Sequence, residues 1–132
     1  MGIEPFLIAN SLKLVISQRL VRRICPECKT RENINLKTIN FPIPESDLFE
    51  NKFYRGNGCR HCGHTGYTGR IAIDEQIEID NDFSDLILQK ASFQKMQEKA
   101  NIKGIESLSV AAVRKAIQGV TSLNEVTAET LF

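Results

Sequence analysis

The chain has 132 residues, of which 42% are hydrophobic and 25% are charged, and its formal net charge is +1. These values are ordinary for a globular protein, so they exclude a wholly disordered chain and a collagen-like repeat. The sequence has no apolar stretch of about 18 residues, which excludes a membrane-spanning helix, and the length is short for a complete large enzyme.

Basic residues predominate in the first half of the chain and acidic residues in the second. Residues 1–70 carry 11 basic and 6 acidic side chains, a net +5, whereas residues 71–132 carry 6 basic and 10 acidic, a net −4. The basic half could face phosphate groups, or it could face the acidic half of the same chain. No secretory or lipidation signal is recognisable near the N-terminus, so the expected location is the cytoplasm.

The first predicted element is a helix over residues 5–20. Pro5 suits the first turn of a helix, and the apolar residues that follow recur at helical spacing, namely Ile8, Leu12, Val15, Ile16 and Leu20. Residues 29–52 are polar and contain Pro42 and Pro44, which predicts an irregular insertion with one short helix over residues 45–50.

A strand is predicted over residues 70–79. Isoleucines at alternate positions define one face, and polar residues such as Asp74 and Gln76 define the other. Glu75 departs from this alternation because it falls on the apolar face.

Four helices are predicted after the strand. The first begins at Asp82, the second at Ser92, the third contains Leu108, and Ser122 with Glu125 forms a capping box for the fourth. Joints of two to four residues favour a small bundle. The predicted fold class is therefore α+β, with an N-terminal helix, a four-cysteine module with short strands, and a C-terminal helical bundle.

The four cysteines of the chain form two Cys-x-x-Cys pairs. Cys25 and Cys28 are separated by 30 residues from Cys59 and Cys62. Two residues between cysteines let both sulfurs of a pair reach one ion from a tight turn, and two such turns complete a tetrahedral site. The spacing favours structural zinc over two disulfides, a redox dithiol or an iron–sulfur cluster, which remain the alternatives.

The sequence contains no motif for a catalytic site. A phosphate-binding loop of the form G-x-x-x-x-G-K-[ST] is missing, and so are H-E-x-x-H and G-x-S-x-G. Four thiolates would also close the coordination shell of zinc and leave no position for a reactive water. His61 and His64 could replace a cysteine ligand, although histidines at the surface of a turn are the simpler interpretation.

The chain resembles the C-terminal region of the ATPases of type II secretion and type IV pilus assembly. The resemblance rests on several stretches in family order: Gly2-Ile-Glu-Pro-Phe-Leu-Ile-Ala-Asn-Ser-Leu12, Gln18-Arg-Leu-Val-Arg22, Cys25-Pro-Glu-Cys28, Tyr54-Arg-Gly-Asn-Gly-Cys59, Cys62-Gly-His-Thr-Gly-Tyr67-Thr-Gly-Arg70 and Gly119-Val-Thr-Ser-Leu-Asn-Glu-Val126. Residues 30–52 and 81–103 carry little of it.

The resemblance implies three parts and a role. Residues 1–24 would be the terminal helix of a RecA-like motor domain, residues 25–69 a tetracysteine zinc module, and residues 70–132 a strand with a helical subdomain. The chain would be a non-catalytic portion of a hexameric ATPase, which binds ATP elsewhere in the parent protein. If the zinc is structural, chelation is expected to unfold residues 25–70 and to spare the C-terminal helices.

The implied partners are neighbouring subunits and the inner-membrane platform protein, which would hold the chain in the cytoplasm at the membrane periphery. Interface candidates are Gln18, Arg19, Arg22, Tyr67 and Arg70, although an arginine whose charge is satisfied within the chain is the alternative. A second hypothesis is a free-standing zinc ribbon that binds nucleic acid through arginines near the cysteines and the aromatic pair Phe53 and Tyr54.

Overall fold

A computed structural model describes residues 2–34 and 52–130 of the chain. In these two ranges, five α-helices and four strands follow one another in the order α1 (Pro5–Ser11), β1 (Leu14–Ile24), β2 (Lys29–Glu32), β3 (Phe53–Gly56), β4 (Tyr67–Glu78), α2 (Asn81–Leu88), α3 (Phe93–Ile102), α4 (Leu108–Ile117) and α5 (Leu123–Thr130). The predicted α+β class is therefore confirmed. In the described ranges no helix is long and apolar enough to cross a membrane.

The N-terminal helix is shorter than predicted. It ends at Ser11, and residues predicted as its last turns form strand β1 instead. The ladder with β4 is antiparallel, because Ile79 N–H donates to Lys13 O at one end and Cys25 N–H donates to Gly66 O at the other. The apolar residues of this segment have helical spacing, but β-branched residues such as Val15 and Ile16 favour a strand. Pairing with β4, more than 40 residues away along the chain, therefore decides the structure of the segment.

The chain forms two compact units, and the boundary falls within β1 and within β4. One unit comprises Met1–Ser17 and Glu75–Glu106, and the other comprises Gln18–Asp74 and Ser107–Phe132. The four predicted C-terminal helices are all present, and they divide between the units: α2 pairs with α3, and α4 pairs with α5.

The first unit packs α1 against α2, with Ala9 and Phe83 buried. Asp80, rather than the predicted Asp82, caps α2 by accepting from Phe83 N–H at 3.2 Å. Ser92 caps α3 as predicted. Asp82 instead forms ion pairs with Lys99 of α3 and with Lys103, the residue after α3. Lys103 also forms an ion pair with Asp80.

The second unit contains the main hydrophobic core. Side chains from three strands meet side chains from α4 and α5, and the buried set comprises Val21, Phe53, Ile73, Ala112, Val113, Ala116, Leu123 and Val126. Along β4 the predicted alternation is confirmed: Ile73 is buried, Asp74 and Gln76 are exposed, and Glu75 is half-buried.

Part of the predicted irregular insertion is regular. Residues Lys29–Glu32 form β2, which pairs antiparallel with β3 in a register that places Lys29 opposite Gly56 and Glu32 opposite Phe53. The prediction of an irregular segment was wrong for these residues because their partner strand, β3, lies after the predicted insertion. The short helix predicted over residues 45–50 lies outside the described residues.

Candidate metal centre

Two tight turns carry the four cysteines. A short 3₁₀ turn, Pro26–Cys28, follows Cys25, and a second, Arg60–Cys62, follows Cys59. Gly63 ends the second turn in the left-handed conformation, with φ 58°, where a residue without a Cβ is not strained. Each turn places both sulfurs of its pair on the same side, as the Cys-x-x-Cys spacing predicts.

The four sulfur atoms converge on one point. All lie within 4.8 Å of one another. Three of the sulfur–sulfur distances are 3.8 Å for Cys25 and Cys59, 3.9 Å for Cys28 and Cys62, and 3.7 Å for Cys59 and Cys62. Four sulfurs at the corners of a tetrahedron about 2.3 Å from a zinc ion would be about 3.8 Å apart. These spacings are far too long for disulfides, and the set could hold a metal ion.

Backbone amides of the turns point at the sulfurs. Gly58 N–H donates to Cys28 Sγ, while Cys59 N–H and Gly66 N–H donate to Cys62 Sγ, at N–S distances of 3.2–3.3 Å. Such donors stabilise thiolates, which are the metal-binding form of cysteine.

Burial and these backbone amides together shift the pKa values of Cys28 and Cys62 in opposite directions. Burial acts to raise the pKa of Cys62, but the amides of Cys59 and Gly66 outweigh it and the pKa falls to about 6. Burial dominates at Cys28 and raises its pKa to about 12. The four sulfurs therefore differ in how readily they lose a proton, although they lie close together. A metal cation bound among them would stabilise all four as thiolates.

A close approach of two glycines holds the turns together. A Cβ on Gly66 would lie 2.5 Å from Gly56 O, and a Cβ on Gly56 would collide with the backbone of Gly66. The end of β3 and the start of β4 therefore meet backbone to backbone beside the cysteines. No local feature of the sequence indicates that these two glycines face each other, because they are ten residues apart.

The histidines of this region are exposed. His61 and His64 both lie at the surface of the second turn, as the simpler interpretation predicted. The four cysteines alone could therefore complete a tetrahedral set of ligands, an arrangement that suits a structural metal site better than a catalytic one.

An ion pair between a buried carboxylate and a half-exposed arginine lies in the same unit as the cysteines. Glu125 on α5, whose side chain is 6% exposed, accepts from Arg22 through both carboxylate oxygens, with the closest N–O distance 2.7 Å. Glu125 also accepts from the backbone N–H of Arg22. Hydrogen bonds from Arg22 lower the pKa of Glu125 against the opposing effect of burial.

Tyr67 completes this cluster. The guanidinium of Arg22 lies 4.2 Å from the centre of the Tyr67 ring, and the Tyr67 hydroxyl is 2.6 Å from Ser122 Oγ. Ser122 also accepts from Glu125 N–H, so half of the predicted capping box is present. The Glu125 side chain binds Arg22 rather than the backbone of Ser122, a pairing across 103 residues for which the sequence has no local signal.

The other predicted interface residues lie on the strands. Gln18 and Arg19 are exposed on β1, where Arg19 donates to Gln18 O, and Arg70 is exposed on β4. Arg22 and Tyr67 contact each other, and the Arg22 side chain stays about half exposed. Whether any of the five residues contacts a partner stays a prediction.

Comparisons with known proteins agree with the motifs. Residues 1–128 match the sequence family described as type II/IV secretion system protein. The type IV pilus assembly ATPase PilB of Thermus thermophilus is 39% identical over 132 residues, which is 99% of this chain and 15% of that protein.

Two further relatives show the same relation. The PilB of Myxococcus xanthus is 38% identical over 98% of this chain and 23% of its own length. The type II secretion system ATPase E of Vibrio cholerae is 39% identical over 96% of this chain and 25% of its own length. The chain thus spans a quarter or less of these relatives.

Proposed function

The chain belongs to the type II/IV secretion system protein family, and from this premise we propose that it is a non-catalytic portion of a hexameric ATPase for secretion, pilus assembly or DNA uptake. The observation that carries the proposal is the match over nearly the whole chain to relatives named as ATPases. The 132 residues contain no phosphate-binding loop motif, so ATP would bind elsewhere in the parent protein.

The role of the four cysteines in this proposal is structural. Cys25, Cys28, Cys59 and Cys62 would bind one Zn²⁺, supported by sulfur spacings close to those of a tetrahedral four-thiolate site. A site of this kind contributes about 10–16 kcal/mol of apparent binding free energy to folding. That contribution would stabilise a glycine-rich region with few buried side chains of its own.

The proposed partners are neighbouring subunits of the hexamer and the inner-membrane platform protein, which would place the chain in the cytoplasm at the membrane periphery. Gln18, Arg19 and Arg70 are exposed and therefore accessible to a partner. The boundaries 1–24, 25–69 and 70–132 for the motor domain, zinc module and helical subdomain follow the family motifs. They remain a proposal beside the two compact units of the fold.

The proposal is tested on the complete protein encoded by the reading frame that contains this sequence. We expect a phosphate-binding loop outside these 132 residues, ATP hydrolysis by the purified protein, a hexameric mass by light scattering, and one zinc per subunit by elemental analysis. Cys59→Ser should lower the zinc content, whereas Ser92→Ala, remote in sequence from the cysteines, should not. A complete protein that neither contains the loop nor hydrolyses ATP would refute the proposal.

The nucleic-acid hypothesis loses part of its support in the structure. Phe53 is buried in the core at 2% exposure, so it cannot stack on a base. The ammonium of Lys29 lies over the Tyr54 ring at 4.3 Å, and Arg55 lies 4.0 Å from Glu32. Tight DNA or RNA binding with a steep dependence on salt concentration would restore this hypothesis.

A further inference from the structure

A surface pocket lies between residues 23–29, which include the first cysteine turn, and residues 118–120 after α4. We name it the α4-end pocket. Its volume is about 410 Å³, within the usual range of small-molecule sites, and the described residues that line it all belong to the second compact unit. Its two sides are joined by a hydrogen bond, because Ile24 N–H donates to Val120 O at 2.9 Å.

Two basic side chains line this pocket. They are Arg23, near the end of β1, and Lys29, at the start of β2, whereas no acidic side chain is among the described residues of the lining. Glu27 belongs to the turn between them but does not line the pocket. Within residues 2–34 and 52–130, neither Arg23 nor Lys29 forms an ion pair with an acidic residue. Two positive charges that share a pocket repel each other, so a negatively charged ligand would stabilise them.

The position of Lys29 is defined by two neighbours. Its ammonium lies 4.3 Å from the centre of the Tyr54 ring. A Cβ on Gly119 would collide with Lys29 Nζ and with the Tyr54 ring, so the glycine leaves the space in which the lysine side chain lies. A cation–π contact of this kind positions an ammonium without neutralising its charge.

The end of α4 does not itself require the two cations. The C-terminus of a helix attracts positive charge through its unpaired carbonyl groups. Here Gly119 N–H donates to Ala116 O and Val120 N–H donates to Lys115 O, a pattern that caps the last turn. Because these carbonyls are already satisfied by the backbone, an anionic ligand explains the two basic side chains better than the helix end does.

The other lining residues indicate a ligand larger than a bare anion. Thr68 and Gln118 add neutral hydrogen-bonding groups, and apolar surface comes from Ile24, Pro26 and Val120. Two positive charges match a phosphate monoester, whose charge is about −2 at pH about 8, whereas a carboxylate or a phosphodiester carries one negative charge. The apolar surface suits an organic group attached to the phosphate.

We propose that the α4-end pocket binds a phosphate monoester, with Arg23 and Lys29 holding the phosphate and the apolar residues contacting its organic group. The inference does not depend on the proposed function, since it uses only residues of the second compact unit. A ligand bound there would link the first cysteine turn to the end of α4.

Acetylation of Lys29 tests the inference in the complete protein. An N-hydroxysuccinimide ester acetylates accessible lysines, and mass spectrometry reports the rate at each one; Lys29 and Lys95 are both exposed. Phenyl phosphate is the probe, and benzoate, which has the same ring and one charge, is compared at equal ionic strength. Phenyl phosphate should slow acetylation of Lys29 several-fold and leave Lys95 unchanged. Half-protection should require about tenfold more benzoate, the factor that one hydrogen bond to a charged group contributes.

Two variants identify the site of protection. Arg23→Gln removes one of the two charges and should raise the phenyl phosphate concentration for half-protection of Lys29 about tenfold. Arg31→Gln removes the same charge from an exposed position on β2 that does not line the pocket, and it should change this concentration less than about twofold. Both arginines are exposed, so neither variant is expected to unfold.

Four results would overturn the inference. If Lys29 is unreactive without ligand, the pocket is covered in the complete protein. If phenyl phosphate gives no protection, or benzoate protects equally well, the pocket does not select a phosphate dianion. If the two variants behave alike, Arg23 does not hold the phosphate. Protection by vesicles of phosphatidylglycerol, without protection by phenyl phosphate, would identify a membrane surface as the partner.

Discussion

Glu125 links α5 to β1 through its contacts with Arg22. Its buried carboxylate accepts from the side chain and the backbone N–H of Arg22, and the Arg22 carbonyl in turn accepts from Thr121 Oγ1 at 2.8 Å. Hydrogen bonds to charged groups contribute more than neutral ones, about 1.5–3 kcal/mol each. Arg22 remains about half exposed, so water can solvate its charge and the energetic cost of losing its carboxylate partner is reduced.

Glu125→Gln is therefore expected to lower the free energy of unfolding by about 1–3 kcal/mol. The amide keeps the shape of the side chain but loses the charge that Arg22 binds. Urea denaturation followed by circular dichroism measures the change. Glu98→Gln removes the same charge from an exposed position on α3, in the other compact unit, and is the matched control. Equal effects of the two variants would show that the Arg22 contact contributes nothing specific.

A second charged cluster predicts a dependence on pH. Hydrogen bonds from Lys103 lower the pKa of Asp80 and of Asp82, and a hydrogen bond from Lys99 adds to the effect at Asp82. A carboxyl whose pKa is lowered by folding stabilises the fold above its ordinary pKa of 3.8, and this contribution is lost as pH falls through the folded value.

Lys103→Gln should therefore weaken hydrogen-exchange protection of α2 at pH 6 and have progressively less effect below pH about 3.8, where the aspartates become protonated. Lys95→Gln, which removes a charge from α3, the helix that ends just before Lys103, is the control. A difference between wild type and Lys103→Gln that persists unchanged at the acidic end would contradict the assignment.

At the scale of elements, the contact between Gly56 and Gly66 allows two effects of adding a side chain to be compared, namely backbone strain and steric clash. Gly66 has φ +81° and faces the backbone of Gly56, whereas Gly69 has φ +68° and open space around it. An alanine in the left-handed region costs about 1–2 kcal/mol in either case. Only Gly66→Ala also creates a clash with backbone that cannot rotate away.

We expect Gly69→Ala to retain one zinc per chain with a stability loss of about 1–2 kcal/mol. Gly66→Ala should lose considerably more stability and bind zinc more weakly, because the clash separates the end of β3 from the turn that holds Cys62. Zinc affinity measured by competition with a chromogenic chelator provides the readout. Equal affinities for both variants would mean that the close approach is not needed for the site.

The elements also show which features a sequence can predict. The cysteine turns and the cap at Ser92 depend on neighbouring residues, and the structure confirms both. Strand β1 depends on a partner far along the chain, so the spacing of Ile8, Leu12 and Val15 suggested a helix that continues past Ser11. The Arg22–Glu125 pair could not be predicted for the same reason, since each residue alone is typical of a surface.

At the scale of the whole molecule, the shared core changes the expected effect of removing a metal. Phe53 of β3 and Val21 of β1 pack in one cluster with Val113 of α4 and Val126 of α5. The first cysteine turn follows β1 directly, and the second begins three residues after the end of β3. Loss of the metal is therefore expected to destabilise α4 and α5, rather than sparing all C-terminal helices.

Hydrogen exchange with and without a chelator tests this expectation. Protection should fall in β2, β3, α4 and α5, while α2 and α3, which belong to the other compact unit, should keep most of theirs. Readdition of zinc should restore the pattern, and the chelator saturated with calcium is the control. Full protection of α4 and α5 after the metal has been removed would contradict the structural role of the site.

The register of the β2–β3 pair has a consequence for the spacing between the two cysteine pairs. Glu32 lies opposite Phe53, so the chain leaves and re-enters the ladder at neighbouring points. The ladder therefore brings the two cysteine turns together without depending on the number of residues between these points. We accordingly expect insertions or deletions between Glu32 and Phe53 to leave the arrangement of the four sulfurs unchanged.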